Sequence, residues 1–108
     1  MLMKIVEYLD AEGRSPFARW FDDLSPQAAA KITVALMRME MGNLSNVKPV
    51  GGGLAEYRIH WGPGLRIYFG RDGDELVILL AGGTKRRQER DIEQARQRWS
   101  DYKERKGR

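Results

Sequence analysis

The stretch that most constrains this chain is Leu54–Leu80, LAEYRIHWGPGLRIYFGRDGDELVILL. It carries three β-prone runs separated by two turn signals. Asp72-Gly73 fits a two-residue hairpin turn, because both central positions of that turn take positive φ. Gly62-Pro63-Gly64 marks a second turn of about three residues. Once both turns are placed, register follows, and register decides the face of every side chain. Across the first turn Trp61 pairs with Leu65, Ile59 with Ile67 and Tyr57 with Phe69. On the opposite face His60 pairs with Arg66 and Arg58 with Tyr68. Across the second turn Arg71 meets Asp74, Phe69 meets Leu76, Ile67 meets Ile78 and Leu65 meets Leu80. Both turns put the same middle-strand residues on the apolar face, an agreement between independent signals. The other face then collects Arg58, His60, Arg66 and Tyr68.

The flanking segments supply helices. Lys4–Tyr8 reads as a first or edge strand. Ser15-Pro16 and Ser25-Pro26 each read as a helix N-cap followed by proline at the first helical position, where a missing N–H costs nothing. Phe17, Trp20, Phe21 and Leu24 follow helical spacing. In the second helix the stripe is Ala29, Ile32, Ala35/Leu36 and Met39, ended by Gly42-Asn43 as a left-handed cap. Met37, Met39 and Met41 are read as core filler. The two helices make a hairpin whose apolar side is covered by the apolar face of the sheet. Gly51-Gly52-Gly53 lacks the GxxxxGK[ST] pattern of a phosphate loop and is read as a turn into the sheet. After the third strand, Ala81-Gly82-Gly83 lets the backbone turn and Thr84 or Lys85 opens a last helix with Ile92, Ala95, Trp99 and Tyr102 on one stripe. Beyond Lys103 the chain is expected to fray.

Composition narrows the function classes. At 108 residues the chain is expected to form one domain, residues 1–108, with a modest core. It has no cysteine and one histidine, so a thiolate nucleophile, a disulfide scaffold and a multi-histidine metal centre are excluded. Neither a membrane span nor a secretory leader is expected, and a cytoplasmic location follows by default. Charge is uneven. Residues 1–83 hold nine Lys/Arg against ten Asp/Glu, while residues 84–108 hold ten against five. A basic tail on a near-neutral body fits an anionic partner such as RNA, and it equally fits a solvated terminal helix.

Several segments resemble the RelE/ParE/HigB superfamily of type II toxins, nearest to the phage-derived addiction-module killer proteins. They are Phe17, Trp20 and Leu24, then Gly42-Asn43, then Gly53-Leu54-Ala55-Glu56-Tyr57-Arg58. Next come Gly62-Pro63-Gly64-Leu65-Arg66-Ile67-Tyr68 and Leu79-Leu80-Ala81-Gly82-Gly83-Thr84-Lys85, followed by Gln88, Asp91-Ile92, Ala95 and Trp99. The resemblance implies an α+β, RelE-like fold, with an N-terminal strand and helical hairpin packed on a small antiparallel sheet and a C-terminal helix. It implies a ribosome-dependent mRNA endoribonuclease that uses no metal and no cofactor. The expected partners are a cognate helix-turn-helix antitoxin and mRNA on the ribosome, with operator DNA bound only through the antitoxin complex and no membrane involved. The family's phosphate-holding positions fall on Arg58, His60, Arg66 and Lys85. RelE-type relatives carry two lysines where this chain has Arg58 and His60, and an arginine in place of Lys85. Their tyrosine near the C-terminus is Asp91 here, which removes one acid–base group, whereas HigB-type relatives do use histidine.

The residues themselves support that chemistry. Metal-free RNA cleavage requires a base for the 2′-OH, charge stabilisation at the phosphorane and an acid for the 5′-oxygen. Arginine forks such as Arg58 and Arg66 match phosphate oxygens, and histidine, here His60, is the side-chain type suited to proton transfer near neutral pH. His60, Arg66 and Lys85 are therefore the catalytic candidates, and Arg58, Tyr68, Arg86 and Arg87 the RNA-binding ones. The same residues also fit a solvated strand face. Two other functions fit the fold: a ParE-like gyrase inhibitor, or a non-catalytic module that binds nucleic acid or a partner.

Overall fold

The computed structural model describes residues 2–74 and 76–107. The elements run β1 (Lys4–Glu7), α1 (Pro16–Asp22), α2 (Pro26–Glu40), β2 (Val47–Gly51), β3 (Leu54–Ile59), β4 (Leu65–Asp72), β5 (Leu76–Thr84), a 3₁₀ turn (Lys85–Arg87) and α3 (Gln88–Lys106). Among the described residues the sheet has five strands in the order β1-β5-β4-β3-β2. β1 is parallel to β5, and all other neighbours are antiparallel. The α+β architecture expected from sequence holds, with two more strands than the central stretch alone defines. Among the described residues no helix is long and apolar enough to cross a membrane.

The helix starts follow the serine-proline signals. Ser15 and Ser25 each accept a hydrogen bond from the backbone N–H three residues on, at 3.0 and 3.2 Å. This satisfies one of the donors that every helix start leaves free. α2 ends where Gly42 takes φ 82° and bonds to Met39 O, while Asn43 N–H reaches Arg38 O. That pair of bonds is a Schellman cap, which needs a left-handed residue. The buried stripe of α2 is Ala28, Ile32, Ala35 and Met39, so Ala28 takes the place expected of Ala29. Met37 and Met41 are exposed, and only Met39 of the three methionines fills the core.

Two cores sit on opposite faces of the sheet. Ile32, Met39 and Phe17 from the helical hairpin pack on Tyr57, Leu65, Ile67, Phe69, Val77 and Leu79. Ala95 and Trp99 from α3 pack on Leu54, Tyr68, Ile78, Leu80 and Ala81. The face opposite the helical hairpin is therefore half core, under α3, and half polar.

Both expected registers shift. In the first hairpin Ile59 pairs with Leu65 and Tyr57 with Ile67, a slip of two residues. An even slip preserves faces, so the apolar set survives, but Arg58 now opposes Arg66 and His60 leaves the strand. The loop Ile59–Gly64 closes on its own backbone instead, with Trp61 N–H on Ile59 O and Gly64 N–H on Trp61 O. In the second hairpin Asp72 pairs with Leu76 and Phe69 with Leu79, a slip of three. An odd slip exchanges faces. Val77 and Leu79 join the α1–α2 core, and Leu76, Ile78 and Leu80 turn to α3. The apolar run from Leu76 to Ala81 allows this, since a strand buried on both faces has no alternation to fix it.

A register shift at Tyr68/Phe69 marks a bulge in β5, after which Tyr68 pairs with Ala81, Ile67 with Gly82 and Arg66 with Gly83. Ala81-Gly82-Gly83 is thus strand and not turn, and β5 runs on to Thr84. Its glycines admit large side chains at van der Waals contact. A Cβ on Gly82 would lie 2.0 Å from the Trp20 indole, and one on Gly83 would lie 1.9 Å from Asp91 Oδ2. α3 does not fray after Lys103. It continues to Lys106, whose Nζ reaches Asp72 Oδ1 at 2.6 Å, and Arg105 pairs with Asp101. Arg108 lies outside the described residues.

The seat of α3 on the sheet depends on Gly70, where a Cβ would come within 2.4 Å of the Trp99 indole. Gly70→Ala forces Trp99 off its position and off its bond to Gly52 O. A loss of about 1–3 kcal/mol in urea denaturation is the expected outcome.

Candidate functional site

Where β3 ends, β4 begins and α3 starts, four polar side chains meet on the α3 side of the sheet. Glu56 lies at their centre and is fully buried. Its Oε1 accepts from Arg58 Nε at 2.5 Å. Gln88 Nε2, in the first turn of α3, donates to Oε1 and Oε2 at 3.2 and 3.0 Å. Arg66 Nη1 stands 3.9 Å from Oε1. Strand periodicity explains the grouping. Glu56 and Arg58 are two apart on β3 and share a face, and Arg66 is the direct cross-strand partner of Arg58. Two like charges directly opposite repel, and the carboxylate beside both offsets that repulsion.

The two guanidiniums differ in access. The Arg58 side chain is 30% exposed and the Arg66 side chain only 7%. Tyr68, cross-strand from Glu56, has its ring inside the α3-side core and is not exposed. Its hydroxyl is buried as well. Burial and the nearby carboxylates of Glu56 and Asp91 push that hydroxyl well above the usual tyrosine range. Asp91 lies over Gly83, opposite Arg66 in the ladder. Burial raises its carboxyl above the ordinary aspartate value, against the pull of Arg87, Arg90 and Arg98. Among the described residues, Arg66 Nε, Tyr68 Oη and Asp91 Oδ2 are buried side-chain atoms with no hydrogen-bond partner. Buried polar atoms are nearly always paired, so these three are exceptions to the rule.

The remaining candidates sit at the rim. His60 is exposed in the loop after β3. Lys85, Arg86 and Arg87 are exposed on the 3₁₀ turn. Lys85 N–H donates to Gly64 O at 2.9 Å, which ties this turn to the loop that carries His60. The structure thus brings Arg58, Arg66 and Tyr68 together around Glu56, and sets His60 and Lys85 at the solvent edge of the same end of the sheet. Sequence reasoning missed Glu56 and Gln88 as members. The available signal was Glu56 two residues before Arg58 on a face already assigned to arginines. No local pattern ties Gln88 to it, thirty-two residues away.

The fold is compatible with that of a RelE/HigB-type toxin, and comparison with known proteins supports that class. The family described as "Phage derived protein Gp49-like (DUF891)" matches residues 19–100. The chain belongs to this Gp49-like family. It is 41% identical over 81 residues to an uncharacterized protein of Haemophilus influenzae, covering 74% of this chain and 82% of that protein. It is 36% identical over 73 residues to the "Probable endoribonuclease HigB1" of Mycobacterium tuberculosis, covering 65% of this chain and 58% of that protein. The match thus spans under two thirds of the HigB1 length.

Two measurements check the electrostatics. Glu56→Ala leaves Arg58 and Arg66 opposed without a counter-charge, and a loss of about 3–5 kcal/mol in chemical denaturation is expected. For Asp91 the sign runs the other way. Its folded-state pKa is raised above the ordinary 3.8, so the folded state holds its proton more tightly and stability falls as pH rises above that value. Asp91→Asn removes this dependence, and the thermal midpoint of the variant should gain on wild type as pH is raised from 4 toward neutrality.

Proposed function

We propose that this chain is the toxin of a type II toxin–antitoxin pair and that it cleaves mRNA, on the ribosome, without a metal ion. The observation that carries the reading is the pair of guanidiniums, Arg58 and Arg66, held side by side on buried Glu56 at the end of the sheet that also presents His60 and Lys85. The likeness to a protein named a probable endoribonuclease supports it.

In this mechanism Arg58, the more exposed fork, engages a non-bridging phosphate oxygen and Arg66 stabilises the charge that develops on the phosphorane. Glu56 and Gln88 act through Arg58 and Arg66 by fixing their orientation. His60 and Lys85, at the rim, exchange protons with the 2′-OH and the 5′-oxygen. Attack of the 2′-oxygen on phosphorus breaks the bond to the 5′-oxygen and leaves a 2′,3′-cyclic phosphate. Arg86 and Arg87 hold the flanking backbone as point charges. The expected partner is a helix-turn-helix antitoxin that covers this face and confers operator binding on the complex, in the cytoplasm.

Induction of the chain without an antitoxin, followed by mapping of mRNA 5′ ends, tests the reading. Codon-linked cuts are expected. They should drop by about 10²-fold in His60→Ala and in Lys85→Ala, exposed positions where the fold is undisturbed. Arg66→Lys keeps the charge, loses the fork and should fall comparably. Intact transcripts with blocked DNA supercoiling would overturn the proposal in favour of a ParE-like gyrase inhibitor.

A further inference from the structure

β1 pairs with β5 only as far as Glu7 opposite Leu79, whereas β5 runs on to Thr84. The end of β5 is the floor of a cleft of about 430 Å³ between α1 and α3. That volume lies in the range of small-molecule sites, roughly 300–1,000 Å³. Two glycines bring the walls close, with Trp20 of α1 against Gly82 and Asp91 of α3 against Gly83.

The charge on the walls decides what the cleft can hold. Arg14 and Arg19 line it from the α1 side, and Arg87, Arg90 and Arg98 from the α3 side. Arg90, Gln94 and Arg98 follow at four-residue steps, so one flank of α3 lines the cleft over roughly 12 Å of helix. Arg98 is anchored there, its Nη1 donating to Leu80 O at 3.0 Å. The other four arginines are exposed, and among the described residues none of them forms an ion pair. Only Asp10, Asp23 and Asp91 oppose the five. Asp10 Oδ1 already accepts from the backbone N–H groups of Glu12 and Arg14 at 3.0 and 2.9 Å. Cations therefore outnumber anions on two facing walls, and no lysine is among them.

That arrangement selects a class of ligand. A guanidinium is a planar fork that matches phosphate oxygens in pairs, where an ammonium is only a point charge. Forks on opposite walls need acceptor oxygens directed both ways. Linked phosphates provide them and concentrate several charges within a few ångströms, whereas an RNA strand carries one charge per nucleotide. We infer that the cleft between α1 and α3 binds an oligophosphate group, two or more phosphates joined by anhydride bonds, as found in a nucleoside di- or triphosphate or in an inorganic oligophosphate chain. The cleft is separate from the Arg58–Arg66 pair and meets the candidate RNA surface at Arg87. An occupied cleft takes that guanidinium from the RNA backbone, and this consequence alone rests on the proposed nuclease function.

Tripolyphosphate titrated into the ¹⁵N-labelled full chain tests the site without any nuclease readout. Saturable shifts are expected at the amides of Gly82, Gly83 and Thr84, with an affinity about tenfold or more above that of inorganic phosphate. Arg19→Gln with Arg90→Gln, both at exposed positions, should weaken binding about tenfold or more. Lys31→Gln with Arg38→Gln removes the same charge from exposed positions of α2 outside the cleft and should leave binding unchanged. Adenosine triphosphate distinguishes the two sources of the group. Binding tighter than that of tripolyphosphate assigns the site to a nucleotide, and equal binding assigns it to the phosphate chain itself. Silence of the three amides would overturn the inference, as would equal loss in the two double variants, which marks general charge attraction. Perturbation of the same amides by decaadenylate without a terminal phosphate, and not by tripolyphosphate, would overturn it in favour of an RNA groove.

Discussion

Glu56 is the constraint on which the candidate site of this molecule depends. A fully buried carboxylate is costly unless it is paired and hydrogen-bonded. Here it is bonded by Arg58 from its own strand and Gln88 from α3, with Arg66 of β4 nearby. Those partners come from three elements, so the carboxylate ties the β3–β4 hairpin to the start of the last helix. In the proposed function the same arrangement serves phosphate chemistry. Two guanidiniums set directly opposite would repel one another, and without the buried anion neither would be held ready for a phosphate oxygen.

The second organising feature is the bulge of β5. It adds a residue opposite Tyr68 and so reverses the facing of everything after it. Before the bulge, Leu76 and Ile78 are α3-facing and Val77 and Leu79 face the helical hairpin. After it, Gly82 lies under Trp20 and Gly83 under Asp91. Two adjacent glycines then let a helix side chain approach each face of one strand. That close approach holds α1 and α3 near the strand end and shapes the cleft at its open edge.

Much of this was legible locally. The serine-proline starts, the Gly42 cap, the α3 stripe and the apolar set of β4 are each decided within a few residues by dihedral preference or periodicity. Arg58, Arg66 and Tyr68 were also placed correctly on one face, because parity survives an even slip of register. What failed was counting across turns. His60 was placed in the ladder and sits outside it, since the loop Ile59–Gly64 satisfies its own backbone groups. The β5 faces were exchanged because a run apolar on both sides carries no alternation to read.

The sequence by itself determined the three helices, the strands β1, β3 and β4 and the first part of β5, which residues of β4 are core, and that arginines gather on the opposite face; it marked neither β2 nor the end of β5 as strand. These follow from short-range preference and from the period of the chain. Only the tertiary structure decided that Glu56 is the centre of that face, that Gln88 completes it, and that β1 stops short and leaves an edge of β5 open. The physical reason is the same in each case. Burial, cross-strand pairing and the approach of α3 are set by residues distant in sequence, and no local pattern records the distance between them.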